Sequence, residues 1–404
     1  MGILVQKFGG TSLADAEARE RVIGHIIRER NNGYSLAVVV SAMGRKGAPY
    51  ATDTLLEAGG GGLLPARERD MLMACGEIIS AATLCSLLLE RGIPAVALTG
   101  GAAGIRTDDH FGAARIKRIE PEHVTKHLNN GAVAIVCGFQ GITDSGELTT
   151  LGRGGSDTSA TALGAALQAD MVDIYTDVDG ILTADPRLVS EARQLSVVGY
   201  AEICNMARQG AKVIHPRAVE IAQQARIPIR VRSTFTEESG TLVTDKGEHD
   251  GSSLVKDRHV TGIAHVSGIT QISVKAPNDA QDMQLHVFQT MARHHISVDF
   301  INVTPSGALY TVFDRDAQKA VELLEAAGFA PVAVPGCAKV SVIGGGMNGQ
   351  PGVMARIVEA LAEQGIPIMQ SADSNTTIWV LVRESDMVNA LRSLHAKFEL
   401  HLSL

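Results

Sequence analysis

Glycine sits where apolar, strand-like runs give way to helical ones, and this placement restricts the fold more than any other feature. Lys7-Phe8-Gly9-Gly10-Thr11-Ser12 closes the apolar run 3–7, and Gly152-Arg153-Gly154-Gly155 precedes the Ala-rich stretch 158–168. A residue without Cβ lets the backbone turn sharply and approach a ligand closely. Strand-like runs at 3–7, 35–41, 93–98, 132–137 and 171–175 alternate with helix-like runs at 14–30, 67–89 and 158–168. That order predicts an α/β fold with a largely parallel sheet covered on both faces. Aromatic residues are only 4% of the chain, against 42 glycines. Such a composition suits aliphatic layers and not an aromatic platform for bases. The formal net charge of −8 likewise argues against a nucleic-acid partner.

The 404 residues allow two or three domains. A polar stretch at 236–258 holds one strand-like GTLVT and marks the boundary, giving a first domain at 1–245 and a linker at 246–262. An internal repeat follows, with a period of about 70 residues. Segment 271–274 matches 339–342, 295–300 matches 365–370, 308–313 matches 378–382, and the helix at 317–328 matches 387–398. Each copy is expected to be a ferredoxin-like βαββαβ module, at 263–335 and 336–404. No apolar run is expected to reach the roughly 18 residues that span a bilayer, so no membrane partner is expected. The N-terminus shows no signal-peptide pattern. The five cysteines are widely spaced with no CxxC, which suggests reduced, buried thiols in a cytoplasmic protein.

No G-x-x-x-x-G-K-[ST] phosphate loop occurs. A G-x-G-x-x-G at Gly344, Gly346 and Gly349 lies inside one copy of the repeat, too near the end for a dinucleotide domain, and is expected to be a tight turn or a small-ligand loop in a regulatory module. Lys7 ahead of Gly9 and Gly10 offers a point charge to a transferring phosphoryl group, beside backbone that can approach phosphates. Gly138-Phe139-Gln140-Gly141 and the run 149–159 (TLGRGGSDTS) pack glycines, an arginine and hydroxyls into one strand-to-helix connection. Ser156 or Asp157 can cap a helix starting at Thr158, and Arg153 can fork onto a carboxylate. Asp177 and Asp179 end a strand, where open α/β sheets bind ligands; metal ligation and turn-stabilising Asx hydrogen bonds explain the cluster about equally well. Lys212 can reach a phosphate, while His215 before Pro216 reads as structural.

Taken together, KFGGTS, SAMG, Gly76-Glu77, TLGRGGSD, YTDVDGI with TADPR, GAKV-x-HP and the paired tail resemble the aspartate kinases (aspartokinases) of the amino-acid kinase family. The resemblance implies an αβα sandwich with a mainly parallel sheet, followed by two ACT modules. It implies transfer of the ATP γ-phosphoryl group to the β-carboxylate of L-aspartate, the step opening lysine, threonine, methionine and diaminopimelate synthesis. In that assignment Lys7 and Asp157 are catalytic. Ser41, Thr52, Glu77, Arg153, Gly154, Gly155 and Ser156 hold aspartate. Lys7, Phe8, Gly9, Gly10, Thr176, Asp177, Leu182, Thr183, Ala184, Asp185, Pro186, Arg187 and Lys212 hold ATP. Mg²⁺ enters with ATP, and no separate metal site is implied. An amino-acid effector (lysine, threonine or meso-diaminopimelate) is expected near Asn278, Asp279, Asn302, Asn348 and Asp373. The ACT pair implies at least a homodimer. The chain departs from the family pattern in a longer link at 45–51 and in its effector-loop sequences at 277–281 and 371–374. Two other readings are an acetylglutamate- or glutamate-5-kinase-type enzyme and a non-catalytic amino-acid sensor. The paired tail and Arg153-Gly-Gly-Ser-Asp oppose the first; retention of Lys7, Glu77, Arg153 and Lys212 opposes the second.

Overall fold

The computed structural model describes residues 2–60, 63–211, 213–245, 259–275, 283–347 and 349–402. The chain divides into two compact units. Met1–Ile181, Gln194–Arg208 and Lys212–Ser253 make the first; Leu182–Arg193, Gln209–Ala211 and Leu254–Leu404 make the second.

The first unit opens with β1 (Ile3–Phe8), α1 (Ala16–Asn31), β2 (Ser35–Val40), α2 (Thr52–Ala58) and α3 (Ala66–Glu90). It continues with β3 (Ala95–Leu98), β4 (Ile105–Thr107), β5 (Ile116–Ile119), α4 (Glu122–Asn129), β6 (Val133–Cys137), β7 (Gln140–Ile142) and β8 (Leu148–Thr150). α5 (Gly155–Leu167), β9 (Met171–Thr176), β10 (Val197–Val198), α6 (Tyr200–Arg208), α7 (Pro216–Ala225), β11 (Ile229–Ser233) and β12 (Thr241–Val243) complete it. Eight strands join in the order β10-β12-β11-β9-β1-β2-β6-β3, parallel except between β11 and β12. β5, β4, β7 and β8 form a small second sheet.

The two faces of β1 follow its period of two. Leu4 and Phe8 enter a core with Val22, Ile23 and Ile26 of α1 and Leu84 and Leu88 of α3. Val5 points the other way, toward Gly164 of α5. Any Cβ at Gly164 would lie 2.6 Å from Val172, so the small residues of α5 let it sit close on the sheet. Lys7 shares the Val5 face, which directs it toward α5.

α3 corrects one expectation: by length and composition it is apolar enough to cross a membrane. Here its inner face packs on the sheet through Ala81, Leu84 and Leu88, and the same helix buries Asp70 and Glu77. Cys75 on α3 is exposed, against the expectation of buried thiols, whereas Cys137, Cys204 and Cys337 are buried; no disulfide forms among the described residues.

The second unit holds β13 (Gly262–Lys275), α8 (Met283–Arg293), β14 (Asp299–Thr304), β15 (Gly307–Phe313), α9 (Asp314–Ala326) and β16 (Pro331–Ile343). α10 (Val353–Ala362), β17 (Gln370–Asp373), β18 (Thr377–Arg383) and α11 (Met387–Lys397) follow. The cut expected at 335/336 falls inside β16. Its first half pairs with residues 271–274 of β13, and its second half pairs with residues 262–266. Each long strand therefore serves both modules, in the sheet order β14-β15-β13-β16-β18-β17. One core gathers Ile272, Val274, Val287, Tyr310 and Leu324; the other gathers Ile263, Val340, Ile357, Val380 and Leu394. The glycine turn after β16 is explained by packing, since a Cβ at Gly344 would lie 2.0 Å from the carbonyl oxygen of His259.

Candidate active site

Lys7, near the C-terminal end of β1, meets Asp157 in the first turn of α5, with Nζ 2.8 Å from Oδ1. Both side chains are 12% exposed. The other Asp157 oxygen accepts the backbone N–H of His215 at 3.3 Å. α5 starts at Gly155, not Thr158, so neither Ser156 nor Asp157 caps it. The capping position is Gly154, in the left-handed region at φ +68°. A Cβ there would lie 2.1 Å from the His215 ring, so this loop position accepts only glycine. The three residues after it place backbone N–H groups at a helix N-terminus, where anions are stabilised. Gly10 is equally constrained, with a virtual Cβ 2.5 Å from the Gly44 carbonyl oxygen. Gly9 leaves open the space beside the Lys7 ammonium.

Glu77 of α3 is 2% exposed, and its Oε1 accepts the backbone N–H of Ala42 at 3.0 Å. Its Oε2 has no hydrogen-bond partner among the described residues. Burial pushes its carboxyl up to about 8. The neighbouring Cys137 thiol is pushed up to about 12, by burial first and by the Glu77 charge second. Gly76 lets the chain at Ala42 and Tyr50 press against α3, its virtual Cβ lying 2.6 Å from Ala42 Cβ and 2.9 Å from the Tyr50 oxygen. Ser41 precedes Ala42 and bonds through its N–H to the Phe8 carbonyl, while Thr52 begins α2 just after Tyr50 and Ala51. Arg153 is exposed and has no ion pair among the described residues.

Thr176 ends β9, and its hydroxyl donates to Asp177 at 3.2 Å. Asp177 also pairs with Arg45, from the longer 45–51 link. The segment Leu182, Thr183, Ala184, Asp185, Pro186, Arg187 belongs to the second unit. Thr183 and Ala184 are buried there, their side chains packing within that unit, whereas Pro186 and Arg187 stay exposed. In the second unit Asn302 is exposed on β14 and Asp373 on β17. These strands carry inner residues that meet, for Gln370 donates to the Phe300 carbonyl. Lys212, Asn278, Asn348 and Asp279 lie outside the described residues. Among those described, no cluster of three or more His, Cys, Asp or Glu could hold a metal ion.

Two supporting residues, Asp70 and Arg217, carry no sequence signal. Asp70 is fully buried and accepts the N–H of Gly112 at 2.9 Å, and the N–H and hydroxyl of Thr150 at 2.8 Å each. It thereby fixes the strand that leads into Gly152–Gly155. Arg217 of α7 donates to the carbonyls of Leu151 and Ala114. Phe139 adopts φ +67°, an uncommon conformation for a non-glycine residue, and its N–H is held by Ser159 Oγ. His215 caps α7 through Nδ1, which accepts the Arg217 N–H at 3.3 Å; burial holds its imidazole below the usual range.

Residues 2–233 match the amino acid kinase family, and residues 332–396 match the ACT domain. Aspartokinase 1 of Bacillus subtilis is 52% identical over 402 residues, covering 99% of this chain and 100% of that one. The chain belongs to the aspartokinases of the amino acid kinase family. The aspartokinase of Thermus thermophilus is 40% identical over 413 residues, covering 99% of both chains. The structure of E. coli aspartokinase III in complex with aspartate and ADP superposes with a TM-score of 0.79 at 27% identity, covering 98% of this chain and 99% of that one. The same enzyme in complex with lysine and aspartate gives 0.77 at 27% identity, with the same coverage. The fold is thus the amino-acid kinase sandwich followed by ACT modules, and the chain is a kinase.

Proposed function

We propose that this aspartokinase works through Lys7, Glu77, Arg153 and the α5 N-terminus, transferring the γ-phosphoryl group of ATP to the β-carboxylate of L-aspartate. Phosphoryl transfer needs in-line positioning and charge neutralisation more than covalent help from the protein. The attacking carboxylate is ionised near neutral pH, so no general base is required. A β-carboxylate oxygen bonds to the γ-phosphorus, the bond to the bridging oxygen breaks, and ADP leaves. Lys7 neutralises charge on the moving phosphoryl, with Phe8, Gly9 and Gly10 beside it. Asp157 holds the Lys7 ammonium in place. Glu77 takes the aspartate ammonium; Arg153 takes a substrate carboxylate; Ser41, Thr52, Gly154, Gly155 and Ser156 line the same site. Thr176, Asp177, the 182–187 segment and Lys212 contact the nucleotide. Mg²⁺ arrives on the ATP phosphates. The second unit binds lysine, threonine or meso-diaminopimelate, and the ACT modules join two chains in the cytoplasm.

The observation that carries this reading is the Lys7–Asp157 pair at 2.8 Å, set between two glycine turns and a helix N-terminus. Lys7→Ala is expected to lower kcat by about 10²–10³ with effector binding retained. Because that change strands the Asp157 carboxylate, Lys7→Ala with Asp157→Asn serves as the folding control. Wild-type turnover in a folded Lys7→Ala enzyme refutes the assignment.

A further inference from the structure

α4 of the first unit carries His123 and His127 one helical turn apart. Val124 and Leu128 bury one stripe of this helix; exposed His123 and half-buried His127 form the stripe beside it. Residues four apart stand one above the other on a helix, so the two imidazoles meet. Their Nε2 atoms lie 3.3 Å apart. The ring centres are 4.9 Å apart, with the planes tilted by 50°. The centres are thus farther apart than the nitrogens, and the Nε2 edges face each other. Nδ1 of His123 bonds the Ala102 carbonyl at 3.0 Å. A carbonyl only accepts, so this Nδ1 carries the proton, and Nε2 of the neutral ring presents a lone pair to His127. The carbonyl that sets the tautomer is itself held in a tight turn. The Ala102 N–H bonds the Thr99 hydroxyl at 3.2 Å, and the Ala103 N–H bonds the Thr99 carbonyl at 2.9 Å. Glu120, just ahead of α4, donates its N–H to the Gly104 carbonyl at 2.9 Å. A Cβ at Gly104 would lie 1.8 Å from the Glu120 carbonyl oxygen, so glycine lets this turn close on the entry to the helix.

We propose that His123 and His127 form a two-imidazole chelate for a divalent transition-metal ion of the zinc type. Imidazole nitrogen suits such ions, and histidines four apart on one helix face present two of them together. Bonds of about 2.0–2.1 Å at a tetrahedral angle place the two donor nitrogens about 3.3 Å apart, whereas a square-planar angle needs about 2.9 Å. The separation of 3.3 Å in this structure is the tetrahedral one. On binding, each Nε2 gives a lone pair to the ion. His127 moves its Nε2 proton to Nδ1, so no proton is lost when both rings start neutral. Water fills the remaining positions. The Ala102 carbonyl is the outer partner that keeps His123 in the ligating tautomer. The motif reads His-Val-Thr-Lys-His, with no glutamate after the first histidine, so no general base stands beside the ion. The site is structural: it staples one turn of α4 and ties that turn, through His123, to residues 99–104. Mg²⁺ prefers oxygen ligands and is not served by it.

The test titrates Zn²⁺ into the full chain in chelator-treated buffer and follows amide hydrogen exchange by mass spectrometry. It compares wild type with His123→Gln and His127→Gln. Each protein is measured with and without Zn²⁺, so a change in the helix's own stability does not enter. In the wild type Zn²⁺ is expected to slow exchange in the peptide spanning 122–131. Each variant is expected to need at least about tenfold more Zn²⁺ for the same protection, since even an outer partner of a metal ligand is worth that factor. Mg²⁺ is expected to leave the peptide unchanged. Protection of 122–131 that persists at the same Zn²⁺ concentration in either variant overturns the proposal. So does a wild-type chain in which Zn²⁺ protects only other segments, such as the one around exposed Cys75, or in which Mg²⁺ protects α4 as well as Zn²⁺ does.

Discussion

Glu77 makes aspartate binding a proton-linked event. In the free enzyme its carboxyl is raised from 4.5 to about 8, because burial disfavours the charge more than the backbone N–H groups of Ala42 and Glu77 itself favour it. At pH 7 it is therefore protonated in about nine-tenths of molecules. A substrate ammonium beside Oε2 favours the carboxylate, so aspartate binding should release about 0.9 proton per site at pH 7. Affinity for aspartate should rise about tenfold per pH unit up to pH 8 and then level off. Calorimetry in buffers of different ionisation enthalpy measures the proton directly. Glu77→Gln should abolish both the release and the slope while weakening binding. The same shift has a stability consequence. Between about pH 4.5 and 8 the folded chain holds a proton that the unfolded chain has given up, so stability falls as pH rises through this window. A rise from 4.5 to about 8, at about 1.36 kcal/mol per unit, sets the scale at about 5 kcal/mol. Glu77→Gln should therefore gain stability over wild type at pH 8 relative to pH 5, read by urea unfolding. Aspartate affinity that is flat from pH 6 to 8 in the wild type refutes the reasoning.

Other expectations follow from the loops around this carboxylate. Asp70→Ala leaves the N–H groups of Gly112 and Thr150 and the Thr150 hydroxyl without their acceptor, and should cost about 3 kcal/mol by chemical denaturation. It should also raise KM for aspartate, since the freed strand leads into Arg153; unchanged kinetics in the weakened protein would separate the two effects. Gly154→Ala meets both a left-handed backbone and the His215 ring, and should cut kcat/KM by at least about tenfold with a fall in melting temperature. A fully active Gly154→Ala would show that the α5 start tolerates rearrangement.

Much of the site was legible because its residues stand beside their own structural causes. Lys7 lies next to the glycines that end β1, and Gly76 next to the Glu77 it helps bury. What escaped was the set of partners distant in sequence. Asp70 is an ordinary acid within an apolar helix until Thr150 folds onto it. The start of α5 was misplaced by three residues because a left-handed Gly154 can open a helix without a side-chain cap. The membrane-like composition of α3 was missed because a long core helix and a membrane span share length and hydropathy.

The sequence by itself determined the layered α/β class, the glycine turns, the duplicated tail and the residue types a phosphoryl transfer needs. These are local: strand and helix periods and turn chemistry act over a few neighbouring residues. Tertiary structure alone decided which of those residues meet. Lys7 reaches Asp157, 150 positions away in the chain, because β1 lies between β9 and β2 with α5 on its Lys7 face. β13 and β16 serve both ACT modules, and the 182–193 segment sits in the second unit's core. Strand order and the partner of each buried face depend on how the whole chain closes its cores, and no short stretch of sequence carries that information.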